Sequence, residues 1–350
     1  MNPTEINRRN TKKKERYIFF DIVKGVTIVL VVLGHSIQFG NGTNFLTHDL
    51  FYDTIPFKII YSFHMPLFML ISGYFFYVTV AKNQSVKRLI VNRTTRLLLP
   101  ILSWNIIYFF IYKYNFSSIQ ITYFIKSIIT DLWFLWAVFW CSFIVIFVRK
   151  LLHDNIYIYV LVFIVSFIIP DFLNLDLYKF LYPYFVIGYL FHRNKENISS
   201  ITSKLKPIYL LSIITIVYLI LMSLFNTDSY IYTTGFTIIG KQIITQIYID
   251  LYRFLVGLAG SIIVILAIGF LLKQNVTNSR KIIAKLGQES LGIYIISGFF
   301  LPLLSNNTTQ FSLNYLYTII ETLIIILTSY TLIVFLKRYK LANKILFGGR

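Results

Sequence analysis

Residues Ile18–Gln38 read IFFDIVKGVTIVLVVLGHSIQ, an apolar stretch that contains Asp21, Lys24 and His35. About 20 apolar residues cross a bilayer as a helix, so this stretch is long enough to span a membrane. An acid or a base near the middle of such a helix costs about 2.5–3.5 kcal/mol on insertion scales. At about 100° per residue, Lys24 and His35 fall on one face, and Asp21 lies only a few tens of degrees away. A helix that only anchors the chain has no use for this polar face, so the stretch predicts a reacting or transporting helix.

The composition of the whole chain is that of a membrane protein. Of 350 residues, 57% are hydrophobic and 13% are charged, and the mean hydropathy is +0.69. A soluble domain has about 25% charged residues. The single cysteine, Cys141, excludes a disulfide within the chain and a cysteine metal site, and we expect no metal.

Apolar runs of spanning length predict an all-α fold, a polytopic transmembrane helical bundle of about ten spans. The runs are 18–38, 57–80, 97–112, 132–150, 156–170, 177–192, 207–225, 248–272, 288–304 and 315–336. We expect three parts, namely a basic cytoplasmic tail over 1–16, a transmembrane domain over 17–338 and a cytoplasmic tail over 339–350.

The basic residues support this topology and account for most of the net charge of +19 without a nucleic-acid partner. They concentrate in both tails and in alternate loops, which is the bias of cytoplasmic segments. The predicted outside loops hold only Lys113, Lys126 and Lys241. The sequence therefore predicts an even number of spans with both termini in the cytoplasm.

A second histidine, His64, lies in the motif FHMPLF (63–68), which SGY (72–74) follows in the same run. His64 is about 10 Å from the outer end of its helix at 1.5 Å per residue, and His35 is near the outer end of the first. We therefore expect the two histidines at similar depth on adjacent antiparallel helices. Alone, His64 is equally well explained by a hydrogen bond within the bundle.

Three further features each admit a structural and a functional interpretation. Arg88, Arg93 and Arg96 lie in KRLIVNRTTR (87–96), which either follows the positive-inside bias or clamps an anionic cofactor, because guanidinium groups bind phosphates bidentately. Trp133 opens the fourth run and suits an aromatic belt or a substrate contact. Arg253 lies near Asp250 in the eighth run, as a partnered structural arginine or a ligand-binding one.

These motifs together resemble the membrane acyltransferase-3 family. The spacing basic-x4-Asp-x2-Lys-Gly-x9-His from Arg16 to His35 resembles its opening motif, and FHMPLF with SGY resembles its second. Further landmarks follow in the same order at 88–100, 133–135 and 287–294. Within the family the chain looks most similar to the fucose-acetylase-like branch of cell-surface polysaccharide O-acetyltransferases, which modifies sugars.

The resemblance implies that 17–338 is the acyltransferase domain of a bacterial cell-membrane enzyme, which moves an acyl group, usually acetyl, from cytoplasmic acetyl-CoA to a hydroxyl. The implied acceptor is a cell-envelope or capsular polysaccharide or its precursor, and the other partners are the CoA thioester and membrane lipid; a homo-oligomer is compatible with this. Catalytic roles are expected for His35, Asp21 and His64, cofactor binding for Lys24, Arg88, Arg93 and Arg96, and substrate binding for Ser72, Tyr74, Trp133 and Arg253.

Two departures from the family pattern limit what the resemblance implies. Many relatives have arginine at the position of Lys24. Lysine keeps the positive charge but lacks the guanidinium group that binds an anion bidentately. Many also have histidine three residues after the tyrosine that matches Tyr294, where this chain has Ser297, and no role is carried over to that position.

The chemistry suits these residues, because histidine near neutral pH takes a hydroxyl proton or accepts an acyl group itself. Ser72, Tyr74 or a displaced backbone amide would supply donors to a developing oxyanion. CoA is cytoplasmic and both histidines map to the outer half, so the pantetheine arm is expected to thread inward from the 88–96 segment. The alternative function is a proton-coupled transporter of a glycan or lipid precursor, since membrane-embedded Asp, Lys and His also form proton relays.

Overall fold

The structure, a computed structural model, describes residues 3–40, 50–82, 85–112, 118–202, 206–239, 242–272, 278–305 and 315–349. It is 87% helix, and these residues contain no strand, which confirms the all-α prediction. The helices are α1 Pro3–Gly40, α2 Ile55–Ala81, α3 Val86–Arg93, α4 Leu99–Tyr112, α5 Ser118–Thr130, α6 Trp133–Leu151, α7 Ile156–Ser166, α8 Leu175–Arg193, α9 Lys195–Thr202, α10 Pro207–Ser223, α11 Ile231–Thr234, α12 Ile243–Leu271, α13 Asn278–Gln288, α14 Ser290–Ser305, α15 Tyr315–Leu336 and α16 Lys340–Phe347.

Several of these helices suit a membrane, and they show a multi-pass membrane protein. Within the described residues, six segments are long and apolar enough to cross, and they are Ile18–Phe39, Ile55–Ala81, Val86–Ile111, Trp133–Leu151, Ile243–Leu271 and Tyr315–Leu336. Shorter apolar helices are Ile156–Ser166, Pro207–Ser223 and Ser290–Leu301. Each predicted run overlaps a helix, while the total of about ten spans and the cytoplasmic position of both termini stay predictions.

The chain divides into two compact units. Unit 1 comprises Met1–His64, Leu205–Ser223 and Ala259–Ile333, and unit 2 comprises Met65–Lys204, Leu224–Leu258 and Val334–Arg350. The boundaries fall inside α2, α12 and α15, so these helices contribute to both units.

In unit 1, α1 packs along α13 and α14, and glycines set how closely α1 and α13 approach. A Cβ placed on Gly25 would lie 2.0 Å from the backbone oxygen of Ile283, and one on Gly287 would lie 1.7 Å from that of Asp21. Such distances leave no room for any side chain. Small residues let membrane helices meet backbone to backbone, where dispersion and weak hydrogen bonds accumulate.

In unit 2, glycines likewise allow the backbones of α2 and α8 to approach closely. A Cβ on Gly73 would lie 1.9 Å from the backbone oxygen of Phe185, and one on Gly188 would lie 2.0 Å from that of Leu70. Close packing at Gly188 and Gly73 brings the two backbones together, which explains why the SGY motif has a glycine at its centre. Helix α6 packs on α8, and the π-helical segment Thr94–Leu98 joins α3 to α4.

Replacement of Gly287 by alanine tests the glycine contact in unit 1. Because the new methyl group meets backbone rather than a movable side chain, we expect Gly287→Ala to lower stability by about 3 kcal/mol or more. The measurement is the midpoint of thermal unfolding of the purified protein in detergent. Gly298→Ala is the matched control on α14, since a Cβ there meets nothing within 4 Å. Equal midpoints for the two variants would contradict the contact.

Candidate active site

Four side chains of unit 1 form a histidine cluster, namely His35, Gln38, Tyr61 and His64. The Nδ1 atom of His35 lies 3.2 Å from the Gln38 amide oxygen and 3.2 Å from the Tyr61 hydroxyl. The same hydroxyl donates to the Gln38 oxygen at 3.2 Å. The two predicted histidines are therefore brought into one cluster, but through Tyr61, which stands edge-on to His35 with ring centroids 6.2 Å apart.

His64 completes the cluster on the ring of Tyr61. It is only 3% exposed, and its ring packs edge-to-face on Tyr61 with centroids 4.7 Å apart. Its Nδ1 lies 2.7 Å from the carbonyl oxygen of Ile60. A carbonyl oxygen only accepts, so Nδ1 carries the proton and the neutral ring has its lone pair on Nε2. The Gln38 amide oxygen faces Nδ1 of His35 and also only accepts, so Nδ1 carries the proton in His35 as well.

Helical spacing within α1 and α2 accounts for the cluster. His35 and Gln38 are three residues apart, as are Tyr61 and His64, so each pair shares a helix face. A glycine makes room between the helices, since a Cβ on Gly34 would lie 2.8 Å from the Tyr61 ring. Gln38 and Tyr61 were missed in the sequence, although the spacing of three from each histidine was a usable signal.

Asp21 and Lys24 form a second polar group on α1, far from the histidine cluster. Their ion pair measures 2.7 Å, and the amide of Gln288 donates to Asp21 at 3.0 Å. His35 follows Asp21 by 14 residues, which is about 21 Å along a helix. Asp21 therefore does not contact His35, and the structure separates these two members of the predicted catalytic set. Gln288, from the end of α13, is a partner that helix periodicity in α1 alone does not reveal.

A basic cavity of about 230 Å³ lies in unit 2. Its lining residues are Val78, Thr79, Lys82, Leu89, Asn92, Arg93 and Arg96. Two of the three predicted arginines are thus brought together, and Lys82, which the sequence interpretation did not single out, joins them from the end of α2. Arg88 is exposed and not in the lining. Among the described residues no carboxylate lines the cavity, so it suits an anionic ligand.

Of the remaining predicted substrate contacts of unit 2, Tyr74 and Trp133 contact aromatic side chains of the same unit. Tyr74 stacks on His192 with centroids 4.3 Å apart, and His192 Nδ1 lies 2.7 Å from the Tyr74 carbonyl oxygen. Ser72 is half-buried, and Trp133 opens α6 with its ring edge-on to Phe134. Their roles in substrate binding stay predictions.

Arg253 on α12 is 3% exposed and binds the loop that precedes this helix. Its Nη1 donates to the carbonyl of Gly235 at 2.8 Å and pairs with the Asp250 carboxylate at 3.1 Å. Its Nη2 donates to the Thr234 hydroxyl and, at 3.3 Å, to the carbonyl of Asp228. Both terminal nitrogens are occupied by the chain itself, which favours the structural interpretation over ligand binding.

Comparison with known proteins places the chain among acyl-transferring proteins. The family model described as an acyltransferase domain (Acyl_transf_3) matches residues 17–338. The nodulation protein NolL of Sinorhizobium fredii is 28% identical over 315 residues, which cover 85% of this chain and 81% of that protein. NolL of Mesorhizobium japonicum is 29% identical over 294 residues, 81% of this chain and 76% of that protein. No solved structure matches.

Substitution of Arg253 by lysine tests its structural role. Lysine keeps the charge but cannot reach several loop acceptors at once, so we expect a loss of about 2–3 kcal/mol and a lower thermal midpoint. Limited proteolysis should also cut residues 226–239 faster. Arg338→Lys, at an exposed arginine, is the control. An unchanged thermal midpoint and cleavage rate in Arg253→Lys would contradict the structural role and would favour ligand binding by the guanidinium group.

Proposed function

The chain belongs to the membrane acyltransferase-3 family, and we propose that it transfers an acetyl group from cytoplasmic acetyl-CoA to a hydroxyl of a cell-envelope or capsular glycan. In this proposal His35 is the reacting histidine, and the basic cavity of unit 2 binds the phosphates of CoA. The family supports the acyl transfer. The donor, the acceptor and the residues are our assignment.

The histidine cluster is the observation that supports this proposal most strongly. Placing two imidazoles and a phenol inside membrane helices costs free energy unless they have hydrogen-bond partners. Here Nδ1 of each histidine has a hydrogen-bond partner. No hydrogen-bond partner of either Nε2 occurs among the described residues. A held Nδ1–H with an available Nε2 lone pair is the arrangement that general bases and nucleophilic histidines need.

The proposed reaction runs on the Nε2 lone pair of His35. As the glycan oxygen attacks the thioester carbonyl carbon, Nε2 takes the hydroxyl proton, and the C–S bond then breaks. The proton passes from Nε2 to the leaving thiolate, so the histidine ends neutral. The transient imidazolium is stabilised at Nδ1 by the Gln38 amide oxygen and the Tyr61 oxygen. His64 packs on the ring of Tyr61 and holds the phenol in place.

The basic cavity supports an anionic donor. Lys82, Arg93 and Arg96 line it, and the Arg93 guanidinium is held 4.1 Å above the Phe76 ring. Guanidinium groups bind phosphate oxygens bidentately, and an ammonium adds a point charge. CoA carries several phosphates close together, which such a cavity suits. Lys24 is paired with Asp21 instead, so we assign the main donor contacts to the cavity.

The glycan acceptor rests on the resemblance to the sugar-modifying branch of the family. The two relatives are named as nodulation proteins, and these names state no substrate. Bacterial origin and residence in the cell membrane are proposed on the same ground. No contact of the described residues specifically favours the alternative of a proton-coupled transporter. Asp21 and Lys24 pair with each other, and 14 residues of helix, about 21 Å, separate Asp21 from His35, so they form no continuous relay with the histidines.

We expect His35→Gln to lower acetyl transfer at least about 100-fold, because the amide keeps the polarity but cannot act as a base at neutral pH. The measurement is the initial rate of acetylated glycan formation by purified protein in lipid nanodiscs, with thermal midpoints to confirm folding. His153→Asn is the matched control, since His153 is exposed and has a left-handed backbone (φ 55°) that asparagine tolerates. A normal rate in His35→Gln would exclude the mechanism.

Lys82→Ala and Arg96→Ala test the donor cavity. Each removes one charge from the phosphate site, so we expect KM for acetyl-CoA to rise about ten-fold, with kcat changed far less. The effect should shrink as salt is raised, because exposed charges are screened. Lys126→Ala, at an exposed lysine of α5, should leave KM unaltered. Unchanged KM in both cavity variants would place the donor elsewhere.

A further inference from the structure

The last helix of the described chain, α16, lies outside the segment that the family model matches, which ends at residue 338. It nevertheless docks within unit 2 on α4. The indole Nε1 of Trp104 donates to the carbonyl of Leu346 at 3.0 Å, and the Trp104 ring packs on Phe347 with centroids 6.2 Å apart. Phe347 is 1% exposed, so the end of α16 is anchored rather than loosely attached.

The residue after this anchor, Gly348, lies against the backbone of Arg96, which lines the basic cavity. Gly348 has a left-handed backbone with φ 70°, and a Cβ placed there would lie 2.6 Å from the carbonyl oxygen of Arg96. Only glycine fits, for reasons of both conformation and space. We call Leu346, Phe347 and Gly348 the C-terminal hook, and it lies directly against the residue that supplies one of the cavity's charges.

Arg96 lies in a part of its helix that needs such support. Thr94–Leu98 is π-helical, and the N–H of Leu99 bonds to the carbonyl of Thr94 instead of the usual acceptor. π-helical turns are rare, occur mostly as single turns inside α-helices and are frequent at functional sites. The extra residue in the turn changes the direction in which Arg96 leaves the helix relative to α4. The hook lies against Arg96 inside the π-helical segment and against Trp104 on α4, which follows it.

We propose that the C-terminal hook is a positioning element of the donor site, which fixes the π-helical turn and thereby the direction of Arg96 toward the phosphates of CoA. This rests on the proposed function, since the ligand of the cavity is assigned there. A helix that only covered apolar surface would need Phe347 but no backbone contact by Gly348. The hook thus adds residues beyond the family-matched segment to the donor site of this chain.

The test compares Phe347→Ala and Gly348→Ala with wild type and with Leu341→Ala, a control at an exposed position of the same helix. CoA binding is titrated on the full chain in nanodiscs, and kinetics are measured with acetyl-CoA. We expect CoA to bind roughly ten-fold more weakly in both hook variants, with KM raised and kcat nearly constant, because misplaced binding groups lose contact with the phosphates. Hydrogen exchange of residues 94–98 should be faster than in wild type. Phe347→Trp, which keeps an aromatic ring, should restore most of the affinity.

The outcomes separate the hook from the proposed function. Hook variants that bind CoA as tightly as wild type, with unchanged exchange at 94–98, overturn the hook proposal alone. Wild-type protein that binds no CoA overturns the donor assignment on which the hook rests. If Gly348→Ala does not fold, Phe347→Leu replaces it, and it is expected to weaken CoA binding without lowering expression.

Discussion

A polar side chain inside a membrane helix must find its partner within the protein, because the hydrocarbon core offers none. The first helix meets this constraint twice. Near its predicted cytoplasmic end, Asp21 pairs with Lys24 and receives the Gln288 amide, and at the other end His35 contacts Gln38 and Tyr61. Each partner from another helix fixes how that helix lies on α1, so the polar contacts determine packing as well as chemistry.

The glycines are what allow these partners to reach. Gly25 and Gly287 bring α13 against α1, which places Gln288 beside Asp21, and Gly34 admits the Tyr61 ring beside His35. In unit 2, Gly73 and Gly188 bring the backbones of α2 and α8 together in the same way. Membrane helices gain no hydrophobic driving force from meeting each other, so close approach at small residues replaces it. The candidate sites therefore depend on positions that bear no functional group.

Features that belong to a single helix were predictable from the sequence, whereas most features that depend on two helices were missed. The apolar runs marked the helices, and the charged face of 18–38 marked α1 as a helix whose polar side chains need partners. The histidines were expected to meet, and they do so through Tyr61, which no single-helix pattern identifies as a bridge. Asp21 was grouped with His35 because they share a face, although about 21 Å of helix separates residues 14 apart. No sequence pattern indicated the C-terminal hook, because its contacts join residues more than two hundred positions apart.

The central claim is that acetyl groups leave CoA and become bonded to a glycan through this chain. Inside-out membrane vesicles that contain the protein expose the predicted cytoplasmic face, to which acetyl-CoA labelled in the acetyl group is added. Acetyl transfer predicts label that remains bound to envelope glycan after washing and chromatography, and its absence in vesicles without the protein. Label or glycan that moves across the vesicle membrane with no covalent acetylation would contradict the claim and would indicate a transporter.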